Sequence, residues 1–392
     1  MRPQTLRLLA LSLGLAAAPL GAQGVASVQG FGYPTGQLGA RAGSSGGALT
    51  EFDETTPLNP ATVVAWQAAG LHFQYEPEFR TNTVSTGSFH TVANRIPVVI
   101  AALPIGSRAG FALSLSSLLD RTWSTNTVDR QLVGAESLYV NQVSTSDGGM
   151  NDIRLAFGWS AKPWLTLGVG AHAMVGLDRF SQTVSLSRAD PRTTTTTSSE
   201  FSPYSQQADI RFSGSAFSAG VLVRPYRTIS LGLSGRKGES VRLTRRDSTV
   251  ATGNIPDRLG AGIAYEVASR TTLAAGLEWI GWSALAPLST ESKPRDGLGW
   301  SAGIEAPGPR LVGRVLLLRA GFHHRPLAYD APSGVSGGVT QWGAVQENAV
   351  TAGFSAPFAY DRALLSIFGQ RASRSVGGEK SFTLGVGLTV RP

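Results

Sequence analysis

Residues 257–282 read "DRLGAGIAYEVASRTTLAAGLEWIGW", and their side chains alternate with a period of two. Leu259, Ile263, Tyr265 and Val267, then Leu273, Leu277 and Trp279, share one face, while Gly, Ala and charged residues such as Arg258, Glu266 and Glu278 fall between them. That period describes a β-hairpin with one apolar face. Whether the face covers a core or meets lipid is not decided by the hairpin itself, because a soluble sandwich and a transmembrane barrel share the pattern with opposite sides wet.

The N-terminus narrows the choice. Arg2 and Arg7 precede "LLALSLGLAAAPLGA", an apolar run of secretory h-region length that closes on the small residue Ala22. Residues 1–22 are therefore expected to be a signal peptide, with the mature chain starting near Gln23. There is no cysteine, which excludes a disulfide framework, a lipoprotein anchor and thiolate metal or redox sites. After the signal, no run reaches the ~20 apolar residues of a helical span. A membrane-resident chain of this kind must be a closed β-barrel.

Composition points the same way. The 47 glycines and the Thr/Ser runs suit strands and turns. The net charge of +8 is carried almost wholly by arginine, the lysines being Lys162, Lys237, Lys293 and Lys380. Those arginines are scattered and lack interleaved stacking aromatics, so no nucleic-acid partner is expected. Outer-membrane lipid headgroups and lipopolysaccharide phosphates are the expected anionic partners.

Alternating segments of suitable length number fourteen: 66–80, 91–103, 109–121, 150–161, 164–179, 208–224, 227–242, 255–267, 271–282, 297–306, 311–323, 347–358, 361–373 and 380–390. Connections after even-numbered segments are tight, such as "KPW" and "ASRT". Those after odd-numbered ones are mostly long and polar, as at 122–149, 181–207, 283–296 and 324–346. Long loops gathered at one end and short turns at the other are the pattern of an even-stranded outer-membrane barrel. Along 153–161, Ile153, Leu155, Phe157 and Trp159 oppose Arg154, Ala156, Gly158 and Ser160. A second face rich in glycine, where a soluble sheet would carry Lys and Glu, suits a lumen that receives a closely fitting plug. Trp159, Trp164, Tyr226, Tyr265, Trp282, Trp300 and Phe358 are the expected interface girdle. Parity slips around "FSGSAF" between Phe212 and Phe217, which suggests a bulge or a strand extending above the bilayer. At 361–373, Leu364 and Phe368 compete with Leu365 and Ile367 for the outer face.

Residues 23 to about 63 do not alternate; they are Gly-rich and polar and close on Leu58-Asn59-Pro60-Ala61. A segment so poor in apolar residues is stable when housed inside a barrel. Here the chain resembles the FadL-like long-chain fatty acid and hydrocarbon transporters of bacterial outer membranes. The resemblance rests on Gly39-Ala40-Arg41-Ala42-Gly43 followed by Asn59-Pro60-Ala61, on Pro256-Asp257 with Leu259 to Tyr265 and then Glu278-Trp279, and on the closing "SFTLGVGLTV". It implies a transmembrane antiparallel barrel of fourteen strands, residues 64–392, with residues 23–63 as a hatch in the lumen. It also implies lateral release at a kinked strand, for which "GFALSLSSLLD" is the place to look.

Little else in the sequence suggests chemistry. Gly43-Ser44-Ser45-Gly46-Gly47 matches G-x-S-x-G, but in a Gly/Ser-rich plug rather than at a strand-to-helix turn. His323 and His324 point to opposite faces, so they are no metal pair. Lumen or solute-contacting roles are expected for His172, Glu278, Arg319 and His323. The expected function is passive uptake of hydrophobic small molecules, fatty acids or hydrocarbons, by a monomer inserted by the barrel assembly machinery, with no cofactor, metal or enzymatic activity. The alternative is a PorV-type barrel with the same Asn-Pro-Ala start, serving as a platform for protein secretion or assembly.

Overall fold

In a computed structural model the described residues are 32–391, except 85–86, 134–135, 189, 191–200, 289–293, 312, 337–338 and 376–377. The expected signal segment 1–22 and hatch residues 23–31 lie outside them. The chain forms a closed antiparallel barrel of fourteen strands. These are β1 Gly70–Val84, β2 in two parts (Gly87–Arg95, Val98–Ile105), β3 in two parts (Ala109–Asp120, Trp123–Val133), β4 Glu136–Lys162, β5 Leu165–Ser187, β6 Tyr204–Tyr226 and β7 Ile229–Arg245. There follow β8 in two parts (Ser248–Asn254, Arg258–Ala268), β9 Thr271–Ile280, β10 Gly297–Leu311, β11 Arg314–Ser336, β12 Val339–Phe358, β13 Ala363–Arg374 and β14 Lys380–Val390. The ring closes where β14 pairs with β1, from Lys380 opposite Thr81 to Val390 opposite Leu71.

Each of the fourteen alternating segments falls mainly within one of these strands, with ends that overrun by a few residues, but two of the expected polar loops are themselves strand. Trp123–Val133 pairs with Glu136–Ser146, and β11 and β12 run on as a ladder through most of 324–346. Above the bilayer both faces of a strand meet water, so Thr, Ser, Asn and Gln stand on either side and hydropathy no longer alternates. The backbone groups still need partners, and the ladder continues.

The outer wall is apolar. Leu259, Leu277, Leu155, Leu113 and Leu103 all expose more than half of their surface, at 57, 54, 55, 54 and 59 %. Their neighbours in sequence, such as Arg154, Ala156 and Gly260, turn inward. An apolar band of this extent faces lipid. Trp159, Trp164, Tyr226, Tyr265 and Phe358 are exposed beside the tight turns, and Trp300 is exposed at the opposite end, next to His324.

Trp282 is a correction, being 2 % exposed and inside the barrel mouth. Its even number already set it off the outward register of Leu277 and Trp279, and after Gly281 the chain turns inward into a 3-10 helix, Trp282–Leu288. The two ambiguous segments also settle. β6 pairs with β5 without interruption through "FSGSAF", and the irregularity lies in β7 between Gly238 and Val241. Phe212 therefore points into the lumen and Phe217 to lipid. In β13 Phe368 is the inward residue, pressed against Gly43 of the hatch.

Leu277→Arg places a cation in the lipid-facing band and is expected to cost about 2–4 kcal/mol, as for basic residues near the bilayer midplane. The expected outcome is a reduced heat-modifiable, membrane-inserted fraction on gels. Glu278→Gln, one residue away on the lumen face, leaves that fraction unchanged.

Candidate functional site: the hatch and the lumen

The hatch is held by shape at its lower end and by charge above. At Asn59-Pro60-Ala61 the Asn59 side chain accepts from Ala61 N at 3.0 Å and donates to the Glu51 carbonyl at 3.0 Å, and Thr62 Oγ1 donates to the Asn59 carbonyl at 2.8 Å. Asparagine thus caps the 3-10 helix Pro60–Ala65, with proline at the position that needs no N–H. This turn lies directly on inward glycines. A Cβ at Gly168 would overlap the Pro60–Ala61 peptide, and one at Gly220 would overlap Asn59 Oδ1. Higher up, the Ser44 and Ser45 hydroxyls of the G-x-S-x-G match donate to the carbonyls of Arg41 and Ala42, at 3.0 and 2.9 Å, within the short helix Ala40–Ser44 and its end. Asp53, fully buried, knits the hatch to itself by accepting from Ala42 N, Thr55 N and the hydroxyls of Thr55 and Thr56.

Four hatch side chains reach arginine–carboxylate pairs on the wall. Tyr33 donates to Glu347 at 2.7 Å and accepts from Arg325 at 2.7 Å. The guanidinium carbons of Arg374, Arg95, Arg80 and Arg325 stand 4.5, 4.9, 5.2 and 5.5 Å from its ring centroid. Burial raises the Tyr33 phenol above its ordinary value, so it stays neutral and serves as the donor. Those arginines are balanced by Glu78, Asp120, Glu347 and Glu379, with Arg95 bridging Glu78 at 2.5 Å and Asp120 at 2.7 Å. Gln37 donates to Ser116 at 2.7 Å and accepts from Arg236, which also pairs with Asp152. Arg41 grips Glu305 through two hydrogen bonds of 3.0 and 2.8 Å. Glu51 accepts from Ser234 at 3.0 Å and from Arg258 at 3.1 Å.

The four expected lumen residues do face inward, but they do not converge on one site. Arg319 supports the Arg41 latch, donating to Glu305 and Ser355. His323 lies 3.4 Å from Glu347 in the Tyr33 cluster. Glu278 accepts from Arg258 at 2.7 Å beside Glu51 and lines a cavity between the hatch and strands β8–β11. His172 sits between Asp152 and Ser218, at 2.8 Å from each, and Gly170 leaves room for both Ser218 and the Arg154 stem. Tyr33, Gln37 and Glu51 carried no signal in the sequence, because their partners come from strands distant along the chain. The alternation did hold a clue to the upper lumen, where Phe212 breaks parity. With Leu118, Leu119, Met150, Met174 and Val241 it forms the apolar lining of the upper lumen, a chamber above the charged belt that side chains fill.

A plugged, closed fourteen-stranded antiparallel barrel with a lipid-facing wall is a transmembrane β-barrel in class. No protein-family model matches the chain, and no curated relative is detectably similar in sequence. Among solved structures the chain is similar to a FadL homologue of Pseudomonas aeruginosa, with TM-score 0.55, 13 % identity, and 92 % of this chain and 99 % of that one covered. It is likewise similar to the monoaromatic hydrocarbon channel CymD (TM-score 0.53, 15 % identity, 96 % and 99 % covered) and to the toluene transporter TodX of P. putida (TM-score 0.55, 12 % identity, 91 % and 98 % covered). The fold is that of the FadL-type channels, barrel and N-terminal plug together.

Glu347→Leu strands Arg325 and Arg374 without their shared carboxylate, a loss of about 3–5 kcal/mol for a buried pair broken on one side. The hatch is expected to loosen before the barrel does. Hydrogen exchange at residues 33–47 should accelerate while the exchange of β4–β6 stays as in the wild type.

Proposed function

We propose that the chain is a bacterial outer-membrane channel for passive uptake of hydrophobic small molecules, gated by its hatch and releasing them sideways into the bilayer. The observation that carries this reading is a seam in the wall between β2 and β3. Their ladder runs from Ile105 opposite Ala109 to Val98 opposite Ser116. Beyond it Ile96 and Pro97 interrupt β2, and a bulge between Ser117 and Leu119 bends β3. Upper β2 then pairs with β1, and Trp123–Val133 with β4. The place of the missing partner is taken by the hatch, where Tyr33 and Pro34 lie opposite Asp120 and Leu119.

In this reading the seam, which ends in "GFALSLSSLLD", serves as the lateral opening, because it touches both compartments. Leu118 and Leu119 belong to the apolar chamber and also flank the bulge. Val92 and Ile96, beside the gap, are 54 and 52 % exposed on the lipid face. An apolar solute in the chamber passes into lipid at little cost in free energy and into water at a large one, so a side exit guarded by the hatch suits it better than a pore to the periplasm. Binding shifts the hatch to the extent that the solute prefers the open arrangement. In this reading the barrel is delivered by its signal segment, inserted by the assembly machinery and bounded by lipopolysaccharide outside.

Purified protein in liposomes is expected to pass labelled toluene or long-chain fatty acid faster than empty vesicles, and deletion of residues 24–61 is expected to alter that flux. Flux equal to that of empty vesicles, with the deletion making no difference, sinks the proposal.

A further inference from the structure

The apolar chamber is not built by the wall alone. Three of its members, Trp282, Leu285 and Leu288, belong to the 3-10 helix that follows β9. A helix of three residues per turn carries positions three apart on one face, and these three are the buried ones, whereas Ser283, Ala286 and Pro287 face outward. The polar ties of the segment to the wall come at its start, Gly281 N donating to the Asp257 carbonyl at 2.9 Å and Ser283 N to Asp296 at 2.8 Å. From there on its buried side chains belong to the same apolar cluster as Met150, Met174, Phe212, Val241 and Ile255, and its packed neighbour is Ser248–Asn254.

We propose that this chamber is a binding site for an uncharged aromatic or alkyl solute, and that Trp282–Leu288 is its built-in occupant, displaced when the solute binds. The displaced groups define the ligand: an indole ring and two isobutyl groups, with no charge among them. The two methionines supply a surface that remoulds around ligands of different outline. Helix and solute compete for the same contacts, so the helix closes an empty chamber against water and yields to a molecule that replaces its burial. The charged belt begins one residue pair below, where Asp152 follows Met150 and His172 precedes Met174 along the inward faces. The inference rests on the uptake reading but concerns a different element from the hatch.

The chain has no cysteine, so an introduced pair is the only thiol chemistry present. A Cβ at Gly253 would lie 2.8 Å from Leu288 Cγ, within reach of the roughly 3.5–4.5 Å between Cβ atoms that a disulfide requires. In proteoliposomes the oxidised Gly253→Cys/Leu288→Cys barrel is expected to take up toluene no faster than empty vesicles, with wild-type flux restored by reductant. A second measurement needs no transport. A spin label on Ser283→Cys in lipid nanodiscs should gain mobility as toluene is added and saturate, while a label on Thr249→Cys does not respond. Oxidised protein that transports like the wild type, a Ser283 label that stays unmoved, or equal responses at both labels overturns the proposal. If wild type and reduced variant both fail to transport while the Ser283 label alone responds, the uptake reading falls and the chamber stands.

Discussion

A wall that meets lipid must satisfy every backbone N–H and C=O within itself, and the rest of the molecule follows from that requirement. Closure of β14 on β1 leaves no free edge in the membrane, and it also leaves a lumen wide enough to need filling. The chain fills it with its own N-terminal segment. The inward glycines are the consequence: Gly168 and Gly220 let the Asn59-Pro60-Ala61 turn reach the strand backbone, where any side chain would hold it off. Glycine weakens a strand, and the loss is tolerable in a ladder bonded on both sides.

Shape alone would let the hatch slide along such a smooth wall. The charged belt prevents this. Glu347, with no exposed surface, serves Tyr33, Arg325 and Arg374 at once, and Arg258 joins Glu51 of the hatch to Glu278 of the wall. Buried ion pairs add little net stability once desolvation is counted, but removing one partner is costly. A belt of them therefore acts as a register. It tolerates the seated arrangement and penalises partial displacement, which leaves charges unpaired in a space with little water.

What was legible in the sequence follows the same division between lipid and lumen. Strands were readable wherever one face meets lipid, as at 153–161, because the solvent difference between the two faces is written into every second residue. The upper parts of β3, β4, β11 and β12 were not, since water lies on both sides and Thr, Ser and Asn serve either. Asn59-Pro60-Ala61 was visible as a local motif with a local capping job. Tyr33 was invisible, because an isolated tyrosine in "FGYPTG" says nothing of arginines from β1, β2, β11 and β13. Trp282 misled because tryptophan at a strand end suits both an interface girdle and an inward-folding helix; its parity, not its identity, carried the answer. The lumen residues His172, Glu278, Arg319 and His323 were found by the facing rule, yet each belongs to a separate latch, which facing cannot show.

The three features of the lumen meet at one short stretch. Leu118 and Leu119 line the apolar chamber, Asp120 pairs with Arg95 in the Tyr33 cluster, and the ladder register shifts between Ser117 and Leu119. Tyr33 and Pro34 are seated on the same residues as the strand that closes the seam. Any movement of Leu118 and Leu119 must therefore disturb the short bridge at Tyr33–Pro34, and any withdrawal of that bridge must disturb the arginines around Tyr33. A bridge of two residues is a weak ladder, while the surrounding charges are strong when paired. The hatch end at Tyr33 is thus held more by electrostatics than by β-pairing, and in the proposed reading the seam parts without unravelling β3, whose other edge is bonded to β4 on both sides of the bulge.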